Sequence, residues 1–445
     1  MVDISPRRRR DVVDALRRGT VPRQGLDVLA VGLDRFAPAL DAELASVKDG
    51  GAGFKAIRGE YGSGKTFVTR WIVERAKREG FAAAEIQVSE TETPLHRLET
   101  VYRRLTESLT TSTAAPSALR DIVDVWFHTL AQDAIAAGVD RSDPEAVERA
   151  TTELLERRLG AVSRTAPMFA VALRGYRNAV VRGDTLQADG VLAWLGGQPH
   201  VAASVRRAAG LRGELDHFGA LGFLQGLLTV LRDSDHAGLV LVLDEVETLQ
   251  RVRSDVREKS LNALRQLIDE IDAGRFPGLY LVMTGTPAFY DGHQGVHRLP
   301  PLAQRLAVDF STDARFDNPR AVQIRLPGFT QESLRSLGMR VRDIYAAGAD
   351  APDRVQRLVD DSYVETLSAA VAGELGGRVG VAPRLYLKKL VGDVLDRVDL
   401  YPDFDPRQHY ALTVSDAELT DVEREAGALG DRSAPASVDD VDLDV

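Results

Sequence analysis

The stretch Gly59-Glu60-Tyr61-Gly62-Ser63-Gly64-Lys65-Thr66 stands between a short apolar run at 54–57 and a helical run that opens at Phe67. A G-x-x-x-x-G-K-T pattern between a strand and a helix is the signature of a phosphate-binding loop. Its glycines let consecutive backbone N–H groups converge on phosphate oxygens at the positive N-terminus of the helix. Lys65 is then set against the outer phosphates, and the Thr66 hydroxyl can ligate Mg²⁺. Gly59, Glu60, Tyr61, Gly62, Ser63, Gly64, Lys65, Thr66 and Phe67 are therefore candidate contacts to a bound nucleotide such as ATP. The competing reading, a glycine-rich turn before a helix, requires no second motif in the chain.

A second motif is present. The continuous apolar run at 238–243 reads as a strand buried on both faces of a parallel sheet, and it ends in Asp244-Glu245. A carboxylate pair at the C-terminal end of a strand beside the P-loop strand divides the labour of phosphoryl transfer. Asp244 can hold Mg²⁺ through water, and Glu245 can orient and deprotonate the attacking water. The pair points to ATP hydrolysis rather than to a surface Asp-Glu that caps a helix.

Composition removes several other classes. No run of eighteen apolar residues is present, so no membrane span is expected. Positions 1–10 show no apolar stretch of a secretory signal, and the absence of cysteine excludes disulfides and thiolate metal sites, which fits the cytoplasm. His293 and His297 lack a partner at metal-site spacing and read as a solvated loop. The net charge of −10 is unevenly placed, because residues 412–445 hold ten acidic residues against two basic ones. Residues 426–445 read as a disordered acidic tail. The first 35 residues carry eight arginines against five aspartates, so a local basic patch is possible although no global field favours nucleic acid.

Hydrophobic periodicity sets out the rest. Strands are expected at 54–58, 82–88, 238–243, 279–283 and 321–326. Between the P-loop helix and Asp244 lie far more residues than one βαβ crossover needs, and they carry helical patterns near 145–159, 166–182, 185–195 and 218–232. Beyond Pro327 helices are expected at 331–346, 353–375 and 383–398. The predicted fold is α/β, with a five-stranded parallel sheet, a large helical insertion and a C-terminal helical lid. The expected division is 1–50 for N-terminal helices and a linker, 51–94 with 233–327 for the α/β core, 95–232 for the insertion, 328–425 for the lid and 426–445 for the tail. No internal repeat is visible.

The motif order resembles the AAA+ branch of P-loop ATPases, near origin-recognition and Cdc6-type initiators and transposition ATPases. A closer resemblance is to the BrxC/BrxD ATPases of bacteriophage-exclusion (BREX) defence systems, BrxD in particular. It rests on the run from Asp14 through Gly19 to Pro22, the P-loop GEYGSGKT, and the segment LDEVETL around Asp244. It rests also on the run from Pro277 through Thr284 to Tyr290, and on Ala382-Pro383-Arg384-Leu385-Tyr386-Leu387.

The resemblance implies further roles. Thr284 or Thr286 matches the polar sensor that holds the attacking water. Arg305 matches an arginine finger supplied to a neighbouring subunit, with Arg298 and Arg315 as competitors. Arg384 matches the lid arginine that reaches the γ-phosphate, with Arg378 as the alternative. Val21, Leu26 and Val31 lie where related initiators wrap the adenine. The implied partners are the helicase-like, methyltransferase and phosphatase-like proteins of a defence system, DNA, and further copies of the chain in a homo-oligomer. Initiators usually end in a DNA-binding winged helix, and a complete one is not expected in the residues after Leu400. Two other readings stay open: a nucleotide-gated scaffold with little turnover, and an initiator- or transposition-like DNA ATPase.

Overall fold

The computed structural model describes residues 4–375, 383–420 and 423–424. Among these residues five strands form one all-parallel sheet: β1 (Gly53–Arg58), β2 (Ala82–Gln87), β3 (Leu239–Asp244), β4 (Leu279–Gly285) and β5 (Gln323–Arg325). Their spatial order is β2-β3-β4-β1-β5. The strand that ends in Asp244 is therefore not the neighbour of the P-loop strand, as the sequence had suggested; β4 lies between them. Apolar runs such as those of β3 and β4 are buried on both faces and carry no mark of which strand each will pair with, so adjacency follows from the crossovers instead.

Both faces of the sheet are covered, which explains those continuous runs. Side chains alternate along a strand. Leu239, Leu241 and Leu243 accordingly face one core, together with Leu279, Leu281 and Met283. Val240, Val242, Tyr280 and Val282 face another. Three helices frame the P-loop side: α1 (Pro6–Arg17), α2 (Ala37–Lys48) and α3 (Lys65–Arg78). Leu40 and Leu44 of α2, with Val68 and Ile72 of α3, complete the second core.

The long interval between β2 and β3 is helical, from Leu98–Ser108 to His217–Asp233. The helix at Thr185–Leu195 falls on the predicted span, whereas the short helix Ala203–Ala208 carries no apolar stripe and is not foreseen. Trp126, Phe169, Tyr176, Trp194 and Phe223 pack in one core that is continuous with the first face of the sheet. The interval thus covers the sheet directly. Its aromatic anchors do not close around a separate centre.

The third core joins the two ends of the chain. Val12, Val13 and Leu16 of α1 pack with Leu334, Val341, Val364, Leu385, Leu390 and Val394 of the C-terminal helices. Arg17 reinforces the joint by donating to both carboxylate oxygens of Asp396, at 2.6 and 2.9 Å. The helix expected over 353–375 is two, Pro352–Leu358 and Asp361–Glu374, because the Asp360 carboxylate caps the second by accepting from the Tyr363 amide at 2.9 Å. The helix expected over 383–398 widens into a π-helical stretch at Lys389–Leu395 before resuming at Asp396–Leu400. The expected acidic tail at 426–445 lies outside the described residues, and so does Arg378.

One buried charge stands beside the P-loop strand. Lys55 in β1 is 1% exposed and donates to Glu43 at 2.6 Å and to the Ala321 carbonyl at 2.6 Å. The second Glu43 oxygen accepts from the Tyr280 hydroxyl at 2.6 Å. Removing the half-buried Glu43 leaves the buried Lys55 ammonium with neutral carbonyl partners alone. Glu43→Ala should therefore lower unfolding stability by about 3–5 kcal/mol in a denaturant titration, although it lies far from any phosphate contact.

Candidate functional site

The carboxyl edge of the sheet gathers the chemistry, as expected of parallel α/β sheets. Pairing aligns Gln87 with Asp244 and Ile57 with Thr284, so the ends of β1, β4, β3 and β2 reach one line. At that edge Asp244 is the centre of a hydrogen-bonded chain. Its Oδ2 accepts from the Thr66 hydroxyl at 3.0 Å. Its Oδ1 accepts from the Thr284 hydroxyl and from the Glu245 amide, the latter at 3.1 Å. The same Glu245 amide also reaches Thr284 Oγ1 at 3.1 Å. Of the two threonines considered from sequence, it is Thr284, fully buried, that touches the carboxylate pair; Thr286 precedes the short helix Pro287–Asp291 and makes no capping bond with its side chain.

Glu245 adopts φ 60°, the left-handed region that a non-glycine residue enters only when its surroundings hold it. The two bonds to its amide supply that restraint. Its carboxylate accepts from Gln87 Nε2 at 2.8 Å. Gln87 was missed from sequence, since a glutamine at the end of a strand carries no motif, and only the register of β2 against β3 reveals it.

The P-loop shows why its glycines are required. Gly62 and Gly64 have φ of 80° and 89°. A Cβ on Gly59 would lie 2.3 Å from Ser63 Oγ. No side chain caps α3 at Gly64, so the helix start presents its amides to the cleft. Lys65, 8% exposed, folds back onto its own loop: Nζ donates to the Gly59 carbonyl at 2.9 Å and to the Glu60 carbonyl at 3.3 Å, and lies 5.0 Å from the Tyr61 ring centroid.

Another charge reaches Lys65. Glu247 Oε1 is 3.7 Å from Nζ, and the residue is only 4% exposed. Neither Glu247 oxygen has a hydrogen-bond partner among the described residues. Burial pushes its pKa above the usual carboxylate range, partly offset by the Lys65 charge. Burial, followed by the Glu247 charge, likewise raises that of Tyr61. Glu247 is two residues beyond the recognised pair. Its position on the Val246–Gln250 turn gave no sign that it points inward.

A cavity of about 660 Å³ extends from the P-loop between the two ends of the chain. Its lining includes Val21, Pro22 and Val31 from the N-terminal segment and Phe329, Leu337, Pro383, Arg384 and Leu387 from the C-terminal one. Asp244, Glu245 and Glu247 line it beside the P-loop. Val21 and Val31 thus sit where an apolar ring can be held. Leu26 does not, for it is fully buried among Leu40, Ile72 and their neighbours, where the turn at Leu26–Val28 directs it into the second core. Its amide donates to Glu74 at 2.8 Å, which fixes that turn.

The arginines fall into different settings. Arg384 lines the cavity and is paired with the buried Glu423, donating from Nε at 3.0 Å. Arg305 does not line it. Its guanidinium pairs with Asp269 of the same chain and donates to the Pro301 carbonyl at 2.9 Å. Arg298 reaches Ser254 at 3.3 Å, and the exposed Arg315 pairs with Asp313 at 3.1 Å.

A divalent cation fits this edge in one way. Among the described residues no group of three or more histidine or acidic side chains could form an all-protein cage. One hydroxyl and one carboxylate oxygen, Thr66 Oγ1 and Asp244 Oδ2, lie together beside the loop, the oxygen set Mg²⁺ uses when phosphates and waters complete its shell.

An all-parallel α/β sheet, a glycine loop opening a helix and an acidic pair at the facing strand end define a P-loop nucleotide-binding protein. The family model described as BREX system ATP-binding protein BrxC/D matches residues 4–414. The chain belongs to that family. A comparison with curated proteins gave no match. Among solved structures it is similar to the ORC2 protein of Aeropyrum pernix in ADPNP-ADP complexes, with 12% identity over 85% of this chain and 70% of that one. The TM-score of that similarity is 0.33. No helix among the described residues is long and apolar enough to cross a membrane.

Proposed function

We propose that the chain is an AAA+-type ATPase that hydrolyses ATP with Mg²⁺ to drive or switch assembly of a BREX-type anti-phage complex, on DNA and in the cytoplasm. The observation that carries this reading is the chain Thr66–Asp244–Thr284–Glu245 beside Lys65. Thr66 and Asp244 would hold Mg²⁺, which supplies positive charge to the phosphates. Lys65 would leave the loop carbonyls for the outer phosphate oxygens. Thr284 fixes the Asp244 carboxylate and the Glu245 backbone, so that Glu245 can accept the proton of the attacking water. Val21 and Val31 would hold the base, and Arg384 would meet the γ-phosphate on leaving Glu423. In this reading 51–94 with 233–327 act as the ATPase core, 95–232 as an insertion for partner or DNA contacts, and 328–425 as a lid.

The test is phosphate release by the purified chain with and without duplex DNA. Turnover that rises with DNA is expected. Absent turnover in both conditions, with ATP still bound, would replace the motor by a nucleotide-gated scaffold. One observation favours that second reading: Glu245 is held by Gln87.

Assembly has its own test. If Arg305 acts in a neighbouring subunit it must first leave Asp269. Arg305→Ala and Lys65→Ala, each inactive alone, should then regain part of the activity when mixed. A dead mixture together with a rate per subunit that is independent of concentration would exclude a finger at Arg305.

A further inference from the structure

Glu247 is the one site carboxylate that the reaction scheme does not use. It is buried, it lines the cavity, and neither oxygen has a hydrogen-bond partner among the described residues. A carboxylate in such surroundings is costly unless a cation offsets it. The nearest cation is the Lys65 ammonium, 3.7 Å away. That same ammonium is the group the phosphates need.

We propose that Glu247 is a positioning residue that holds Lys65 down on its loop in the nucleotide-free state and competes with the phosphates for it. The inference rests on the functional reading above and deepens it. Lys65 has three anchors in this state, the Gly59 and Glu60 carbonyls and the Glu247 carboxylate, and only the last carries a charge. An entering triphosphate draws Lys65 toward itself and brings its own negative charge close to Glu247. Both effects oppose binding, and both assist departure of the nucleotide. Tyr61 lies alongside, its ring centroid 5.0 Å from the Lys65 ammonium.

Charge and packing make opposite forecasts, which separates this role from a merely structural one. Glu247→Gln keeps the shape and removes the charge, whereas Glu247→Asp keeps the charge and opens a small void. Titrations with ATP and with ADP should show Glu247→Gln binding both about tenfold more tightly, the size expected of one like charge removed at short range, with KM falling and kcat not rising. Glu247→Asp should stay within about threefold of wild type, a small loss beside a full charge. Glu247→Met repeats the neutralisation with a side chain suited to a buried position, should the amide prevent folding. Affinities of Gln and Met variants equal to wild type, or a larger change in the Asp variant, overturn the proposal while leaving nucleotide binding intact. Failure of the wild type itself to bind ATP overturns the functional reading and this inference with it.

Discussion

Glu245→Gln is expected to bind ATP as wild type does and to hydrolyse it about 10²–10⁴-fold more slowly, the range for losing a general base. The geometry makes the substitution clean. The backbone at 245 is held through its amide, by Asp244 Oδ1 and Thr284 Oγ1, so the side chain can change without releasing the strained turn. The glutamine can still meet Gln87, because its amide oxygen accepts as the carboxylate oxygen does. Only the basicity is lost. Single-turnover phosphate release, with ATP affinity measured in parallel, distinguishes this outcome from general damage. Equal and negligible turnover in wild type and variant would remove hydrolysis from the function.

Lys65→Ala is expected to abolish detectable ATP binding, since the phosphates lose the one P-loop side chain with a matching charge. A second consequence is particular to this chain. Glu247 would be left buried without its counter-ion, a situation that costs about 3–5 kcal/mol where a buried pair is broken. Loss of binding must therefore be read against the thermal midpoint of the nucleotide-free variant. Lys65→Ala combined with Glu247→Gln should recover stability without recovering affinity. Unchanged affinity in the single variant, measured with labelled ATP, would place the nucleotide elsewhere.

The parts of this site that could be read from sequence are those set by local chemistry. Gly62 and Gly64 take left-handed backbone and the loop opens a helix, so the types at 59–66 are restricted in order and spacing. The strand ending in Asp244 announces itself by an unbroken apolar run, since both its faces are covered. What stayed hidden depends on residues far apart in the chain. The placement of β4 between β1 and β3 follows from crossover packing, and so does the choice of Thr284 over Thr286 as the contact to Asp244. Gln87 matters only because β2 pairs with β3 in one register. Leu26 has the apolarity of a ring-binding residue, yet a turn fixed by Glu74 directs it into the core. The arginines were the least legible. Each has a long side chain and several acidic neighbours within reach, and spacing does not choose among them.

The packing of α1 on the C-terminal helices has a consequence for how the protein is made. Part of the cavity lining, from Phe329 to Leu387, is synthesised long after the P-loop. A nascent chain can form its glycine loop early but cannot enclose a base until the helices that carry Leu337 and Leu387 arrive and dock on α1. Long-range closure of this kind is slow compared with local helix formation. A truncated product would thus carry the phosphate loop without the compartment around it. Nucleotide capture thus waits on helices made about 270 residues after the P-loop's own glycines, the separation of Gly64 and Leu337.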